Sequence, residues 1–468
     1  MTNKKNDISS YLKHNGFIIP NAEIYGGFAK SWDLGPYGTE LKRNLKNLWW
    51  KFFITSSPYN IGLDSAILTS KNILEASGHL RNFHDWLVEC SNCQKRHRLD
   101  NLISAEELLK FFAIKDKKNF NLEIKCPSCQ QKNLSSPRQF NLLLSTDLQI
   151  NQEKEENLAY LRPETCQGIF VNFNNIQTAS HKKLPFGAGQ IGKSFRNEIT
   201  LQRGIFRTRE FEQMELEFFC QEAESEKWWN YWTEQAWNFL NKIIVNDKKR
   251  IKKISLEKEE LPHYSKKTLD LYFDYHFGWG ELCSNSHRGN FDLTQHNKYS
   301  QQKLVVKIND EFIVPNVIEV SFGVERLLLS ILEDAYQEEI IKTLQSNAKK
   351  ESIRSVLKIH PLLTPYFVAV IPLSKELKDL AQQIYLDLLK SLSFNVAWEE
   401  SSSIGKSYRR QDSIGTYYCL TVDFQSIQEQ IVTCRQRNDM TQIKLNINSL
   451  KNYLTEQYEK HWREFMNE

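Results

Sequence analysis

The sequence predicts an α+β protein of more than one domain, and three observations carry that expectation. Strand-like segments dominate from Leu161 to Phe219 and return at "LDLYFDYHF" and "NVIEVSF", with helical patterns between them. Two Cys-x-x-Cys pairs, "CSNC" and "CPSC", bracket a stretch with a helix of its own, "SAEELLKFFA". Past "KIHPLLTP" short apolar strands alternate with helices, as in an α/β unit of roughly 100 residues. A length of 468 residues accommodates this division, at roughly 100–200 residues per domain. The Cys-bearing insertion spans 85–140 and the C-terminal unit begins at 361.

Each element has its own signal. In "YGTELKRNLKNLWWKFFI", Leu41, Leu45, Leu48, Trp49, Phe52 and Phe53 form one apolar stripe with Lys42, Arg43 and Lys46 off it, which is an amphipathic helix. Periodicity leaves open whether the stripe meets the core or a second subunit. "SFRNEI" and "FRTREFEQMELEFF" read as two strands of a hairpin, joined by a loop with Arg203 and Gly204. Strand side chains alternate, so Met214, Leu216 and Phe218 take the core face and Phe211, Gln213 and Glu215 the other, while Arg196 shares a face with Glu198. Two readings of the polar face are open. It is a floor whose charges pair with a ligand, or an edge sheet whose charges pair with one another or face water.

"SEKWWNYWTEQAWNFLNKII" is a helix whose tryptophans are expected in the core, and Lys248 to Glu260 reads as a charged surface run. "NVIEVSF" leads into the apolar helix "GVERLLLSILEDAY". In the C-terminal unit "FVAVIPL", "FNVAW" and "YYCLTVD" read as strands and "KELKDLAQQIYLDLLKSL" and "SLKNYLTEQYEKHWREF" as helices. "GKSYRRQDSIG" is a basic turn or helix, and "RNDM" a hairpin tip.

Composition narrows the function classes. A net charge of +4 permits a nucleic-acid partner without requiring one. No stretch approaches the roughly 18 consecutive apolar residues of a membrane helix, and "MTNKKNDISSYLKHNGF" lacks a secretory pattern, so a soluble, cytoplasmic protein is expected. Nine cysteines in such a chain do not read as a disulfide framework. The pairs Cys90, Cys93 and Cys126, Cys129 can present four thiolates to zinc in a closed, structural site. The alternative is ordinary buried thiols that happen to be spaced alike.

With these segments in view, the chain resembles the homodimeric, bacterial-type glycyl-tRNA synthetases of class II over nearly its whole length. "YGTELKRNLKNLWW" resembles motif 1, "FRNEI…FRTREFEQMELEFF" motif 2 and "FGVERLLL" motif 3, in that order. "EIYGGFAKSWDLGPYG", "LRPETCQGIFVNF", "FGWGEL" and "SIGKSYRRQDSIGT" add specificity. The resemblance implies an antiparallel catalytic sheet flanked by helices over 1–84 and 141–360, a dimer built through motif 1, and an anticodon-binding α/β domain over 361–468. It also implies a ligase that forms glycyl-adenylate from glycine and ATP, with Mg2+, and passes glycine to the 3′ end of tRNA-Gly.

Roles carry over residue by residue as implications of that resemblance. Arg196 contacts the α-phosphate, Glu198 the adenine amino group and Phe211 the adenine ring, and Arg207 reaches the outer phosphates; Asn197, Phe206, Leu282 and Gly323 complete the ATP site. Arg326 begins a helix, where guanidinium and helix dipole act together on phosphate, and with Arg196 it forms the catalytic pair. Arg288 is a further phosphate candidate, and Glu281 the magnesium carboxylate. Glycine has no side chain to hold, so its selection rests on exclusion. Glu164, Glu215, Glu319 and Ser321, with Arg98, Glu212 and Gln213 beside them, surround the ammonium and leave no room for a methyl group. Lys406, Arg409, Arg410, Arg435 and Arg437 suit an anticodon stem, a solvated basic face being the competing reading. The chain departs from the family pattern at Cys166, at Ser284, Asn285, Ser286 and His287, at Asn290, and at Val320, where proline is usual. A class II synthetase for another amino acid and a non-catalytic, nucleic-acid-binding relative are the alternatives.

Overall fold

The computed structural model describes residues 8–28, 31–114, 117, 120, 124–148, 158–199, 203–345, 348–400 and 403–467. Residues 1–7 of the polar start, and Ala29 and Lys30 of "EIYGGFAKSWDLGPYG", lie outside the described residues. After a short helix, Ser9–His14, and a two-stranded pair, Ile18–Pro20 with Trp32–Leu34, come helix α1 (Pro36–Trp50) and strand β1 (Asn60–Gly62). A small sheet follows, of β2 (His84–Glu89), β3 (Arg96–Arg98) and β4 (Arg138–Asn141), with helix α2 (Ala105–Ala113) between the last two strands. Next come helix α3 (Cys166–Val171), strands β5 (Phe186–Phe195) and β6 (Glu210–Cys220) and helix α4 (Ser225–Ile243). Strands β7 (Ile251–Ser255), β8 (Lys267–Tyr275) and β9 (Gly278–Gly289), helix α5 (Phe291–Ser300), strand β10 (Asn316–Gly323) and helix α6 (Val324–Ala335) complete this part.

Seven of these strands form one sheet in the order β7-β8-β9-β10-β6-β5-β1. Every neighbouring pair is antiparallel except the short edge pair β5–β1. Strand alternation decides its two faces. Met214, Leu216 and Phe218 of β6 and Ile318, Val320 and Phe322 of β10 are fully buried against Leu41, Leu45 and Trp49 of α1 and Trp232 and Phe239 of α4. Each such side chain contributes about 1.5–3 kcal/mol on burial. The apolar stripe of α1 therefore meets the core of its own chain, and the tryptophans of α4 are packing residues. Gln213, Glu215 and Glu217, with Glu319 and Ser321 across the ladder, take the opposite face.

Two local expectations change. The strand read in "SFRNEI" ends at Phe195, and the following residues turn out of the ladder, with the Glu198 N–H donating to the Arg196 carbonyl at 2.7 Å. Within the charged run from Lys248, Ile251–Ser255 is the sheet's edge strand β7, where lysines discourage further pairing.

A hairpin with no counterpart in the sequence reading, β11 (Tyr336–Gln345) and β12 (Ala348–Leu357), leads to the C-terminal unit. That unit runs β13 (Val368–Pro372), α7 (Lys378–Ser391), β14 (Val396–Trp398), α8 (Ile404–Ile414), β15 (Tyr418–Val422), β16 (Ile431–Gln436), β17 (Gln442–Asn446) and α9 (Leu450–Asn467). Its sheet order is β14-β13-β15-β16-β17, parallel over the first three strands and antiparallel beyond. "GKSYRRQDSIG" is thus a helix, and Lys406, Arg409 and Arg410 are exposed on it.

Arg435 and Arg437, expected at a nucleic-acid surface, are buried instead. Arg435 grips both oxygens of Asp412 at 3.0 Å, and Arg437, 1% exposed, donates to the carbonyls of Gly415 at 2.7 Å and Ile359 at 2.6 Å. Arg354 of β12 donates to the same Asp412 at 2.7 Å. These guanidinium groups fasten the hairpin and α8 to the C-terminal sheet and cannot also reach a phosphate. Among the described residues no helix is long and apolar enough to cross a membrane. Asp412→Ala removes the carboxylate that Arg435 grips and one of the two that hold Arg354, whose other partner is Glu339 at 2.7 Å, and is expected to lower stability by about 3–5 kcal/mol, read from the urea unfolding midpoint.

Candidate active site

The polar face of the large sheet opens into a cavity of about 320 Å³. Carboxylates gather at one end. Glu215 accepts hydrogen bonds from Gln213 Nε2 at 2.6 Å, from Ser321 Oγ at 2.7 Å and from Thr165 Oγ1. Burial, and then the charge of Glu164, pushes its carboxyl up. Burial acts on Glu164 as well. Its partners outweigh it, however: His79 Nε2 at 3.4 Å, Arg288, and the Cys166 thiol donating at 3.0 Å hold Glu164 well below the ordinary carboxylate range. Glu319 accepts from Arg288 Nη1 at 3.0 Å, and burial still pushes it up to about 7.

Arginines gather at the other end. Arg196 leaves β5 with its guanidinium carbon 5.3 Å from the centre of the Phe211 ring. Arg207 lies 4.0 Å from Glu198, and burial depresses its pKa, helped by the like charges of Arg326, Arg98 and Arg203. Arg326, the third residue of α6, donates to the backbone oxygen and to Oε1 of Glu281, both at 3.1 Å, and its guanidinium carbon is 4.7 Å from the Phe206 ring centre. Guanidinium groups converging on an open space are complementary to a polyanion.

Two places fit metal ions. Glu281 lines the cavity beside Asp270, whose Oδ1 is buried without a partner; burial and the Glu281 charge push Asp270 up to about 7. Adjacent carboxylates facing a cavity suit a hard cation. Away from the cavity, the sulfurs of Cys90, Cys93, Cys126 and Cys129 lie within 4.8 Å of one another, at 3.5 Å for Cys90 to Cys129 and 3.7 Å for Cys93 to Cys126. Four thiolates at ~2.3 Å from a tetrahedral ion are about 3.8 Å apart, so this cluster could hold one.

The cavity brings together Arg196, Glu198, Phe206, Arg207, Phe211, Glu281, Gly323 and Arg326 with Glu164, Gln213, Glu215, Glu319 and Ser321. Five expected residues fall elsewhere. Glu212 points to the other side of β6, where Lys42 at 3.2 Å and Lys46 at 2.9 Å pair with it. Leu282 packs into the core for the same reason, one position from Glu281. Arg288, 1% exposed, is spent on Asp292 at 2.8 Å and Glu319 at 3.0 Å; it braces the carboxylate end and does not reach the arginine end. Asn197 is fixed through its N–H to the Leu142 carbonyl at 2.8 Å. Arg98 pairs with Asp100 at 2.7 Å and Asp85 at 3.3 Å, and the cavity carboxylate acting on it is Glu198. Sequence reasoning missed Tyr264, Thr268, Asp270 and Ser284, which also line the cavity. Strand alternation in "LDLYFDY" offered a signal for Asp270; Tyr264 precedes β8 in a loop and offered none.

Residues 146–335 match the family described as the tRNA synthetase class II core domain for G, H, P, S and T, and residues 367–457 match the anticodon binding domain. A prolyl-tRNA synthetase from Cryptosporidium parvum, solved with halofuginone and AMPPNP, shares the fold with a TM-score of 0.62 at 12% identity, over 99% of this chain and 79% of that one. Fold and site together define a class II aminoacyl-tRNA synthetase. Glycine–tRNA ligase of Mycoplasma mycoides subsp. mycoides is 46% identical over 457 residues, which is 96% of this chain and 98% of that protein. The enzymes of Alkaliphilus oremlandii and Geobacillus kaustophilus are also 46% identical, over 96% of this chain and 97% and 98% of theirs. The chain belongs to the glycine–tRNA ligase family.

The raised carboxyl of Asp270 has a definite pH signature. Raised from 3.8 to about 7, it contributes stability below pH 4 that is lost as pH climbs through 7. Asp270→Asn is therefore expected to be more stable than the wild type by roughly 2–4 kcal/mol at pH 8, with the gain fading towards pH 4, as measured by urea unfolding across that range.

Proposed function

We propose that this cavity activates glycine with ATP and that the chain then transfers glycine to tRNA-Gly. The supporting observation is the polarity of the site: a tight carboxylate cluster abuts an arginine-lined, aromatic-floored space on one strand pair. An ammonium among Glu164, Glu215 and Glu319 is matched in charge, and the cluster leaves little room at the α-carbon. The nucleotide lies over Phe211 with its amino group towards Glu198, its α-phosphate at Arg196 and its outer phosphates between Arg207 and Arg326.

The glycine carboxylate is ionised at neutral pH, so no base is needed for the first step. It attacks the α-phosphorus; the acyl–phosphate bond forms as the bond to pyrophosphate breaks. The arginines align the groups and neutralise the charge that moves onto the leaving oxygens. In the second step the terminal ribose hydroxyl of tRNA attacks the acyl carbon and AMP leaves. Glu281, with Asp270 beside it, would hold Mg2+, which supplies further neutralisation of the phosphates. Cys90, Cys93, Cys126 and Cys129 would hold a structural zinc that braces the insertion at 85–140 between the catalytic segments 1–84 and 141–360. The exposed Lys406, Arg409 and Arg410 of the unit over 361–468 face the anticodon stem. Homodimerisation and a cytoplasmic location belong to the same reading.

Glycine-dependent ATP–pyrophosphate exchange tests it. The wild type is expected to exchange with glycine and not with alanine, and Arg196→Ala to lose about 10²–10³-fold in kcat. Glu319→Ala is expected to raise the glycine KM and narrow the preference over alanine; a wild type inert with glycine refutes the assignment. Prolonged chelation is expected to release one zinc per chain and lower the thermal midpoint, with a Cys126→Ser variant isolated free of zinc.

A further inference from the structure

Glu217 stands behind the carboxylate end and has no part in the steps above. It lies on β6 two residues past Glu215, directly across the ladder from Glu319. It is 0% exposed, and neither of its carboxyl oxygens has a hydrogen-bond partner. An oxygen of Glu217, an oxygen of Glu319 and the sulfur of Cys166 all lie within 4.8 Å of one another.

The charged groups acting on Glu217 are Glu319 from β10, Arg288 from β9, Glu215 from its own strand and Asp292 from α5, while β5, its other neighbour in the sheet, sets uncharged Ala188 opposite it. Cys166 closes the side of α3, its thiol hydrogen already given to Glu164. Arg288 is the one cation in this set, and it is bonded to Asp292 and Glu319. An ionised Glu217 would thus be a further negative charge around a committed guanidinium, without a protein donor and shut off from the surface. Protonation is the less costly state for such a carboxyl. Burial, and then the neighbouring Glu319, accordingly drives it well above the ordinary carboxylate range.

We infer that Glu217 is a positioning residue held as a neutral carboxylic acid, so that the negative charge presented to the substrate ammonium rests on Glu164, Glu215 and Glu319, the glutamates at the carboxylate end of the cavity. The inference rests on the glycine reading of that end. A neutral Glu217 fills the space behind Glu319 without repelling it, which lets Glu319 ionise at a pH where glycine must bind. A metal ion shared by Cys166, Glu217 and Glu319 is the competing occupant; burial and the charge of Glu164 push the Cys166 thiol up, away from the thiolate such an ion prefers.

The test uses the full chain. Glu217→Ala is expected to raise the glycine KM about tenfold with kcat little changed, and Glu217→Gln, neutral and equal in size, to restore it to within about threefold. In wild type, glycine KM should rise as pH falls through about 7, where Glu319 takes up a proton. Glu217→Gln should leave that limb in place. If Glu217 were an anion, removing its charge would ease the ionisation of Glu319 and move the limb to lower pH by a unit or more, and that result overturns the inference. So does a glycine KM in Glu217→Gln as poor as in Glu217→Ala.

Infrared difference spectra of wild type minus Glu217→Gln, recorded without substrate at neutral pH, should contain a protonated-carboxyl C=O band that shifts in D2O. A carboxylate band in its place, or a metal bound by wild type and lost in the variant beyond the zinc of the four cysteines, refutes it. Because the spectrum needs no turnover, a wild type that fails to exchange glycine sinks the functional reading, while the band alone decides the protonation of Glu217.

Discussion

The register of β6 against β10 is the constraint on which the rest of the molecule depends. With Glu215 opposite Ser321 and Glu217 opposite Glu319, Met214, Leu216 and Phe218 and their partners Ile318, Val320 and Phe322 fall towards α1 and α4, and Glu215, Glu217 and Glu319 fall on the opposite face. A slip of one residue in β6 would drive Glu215 and Glu217 into the aromatic core and expose Leu216 and Phe218. Such a slip loses both burial and ion pairing at once, so the same hydrophobic pattern that stabilises the sheet also fixes the geometry of the site.

Charge on the polar face is then managed by what flanks the ladder. Arg288 reaches in from β9 to Glu319 and Asp292, and His79 approaches Glu164 from a short helix outside the sheet. These partners are enough to keep Glu164 ionised but not enough to neutralise the cluster, which leaves a deficit of positive charge at one end. At the other end like positive charges crowd one another, Arg207 lying among Arg326, Arg98 and Arg203 beside Glu198. An α-amino acid beside a nucleoside triphosphate corrects both imbalances together. That complementarity, rather than any one residue, ties the fold to ligation chemistry.

Legibility followed the strength of local pattern. The stripe of α1, the core faces of β6 and β10 and the alternation of the C-terminal unit were all readable, because burial imposes a period on the sequence. The resemblance carried the cavity-lining residues well where they sit on the exposed face of a strand or begin a helix, as Glu215, Ser321 and Arg326 do. It misplaced residues one step out of phase, Glu212 and Leu282, which share a motif with true lining residues but face the other way. It also misjudged arginines. Arg288, Arg435 and Arg437 occur in polar, loop-like stretches of sequence, and nothing local reveals that Glu319, Asp412 and two backbone carbonyls wait to receive them. Of the departures from the family pattern, Val320 is a core residue on a central strand, and Ser284 is part of the cavity wall.

The sequence by itself determined the period of each element, the alternation that segregates leucine from glutamate, the paired cysteines and the order of the motifs, because these depend on neighbours a few residues away. Tertiary structure alone decided which charges are spent and which are free. Whether an arginine binds phosphate or is locked in an ion pair, and whether a glutamate is an anion or an acid, depends on partners tens to hundreds of residues distant and on the exclusion of water. Neither leaves a mark in the local sequence.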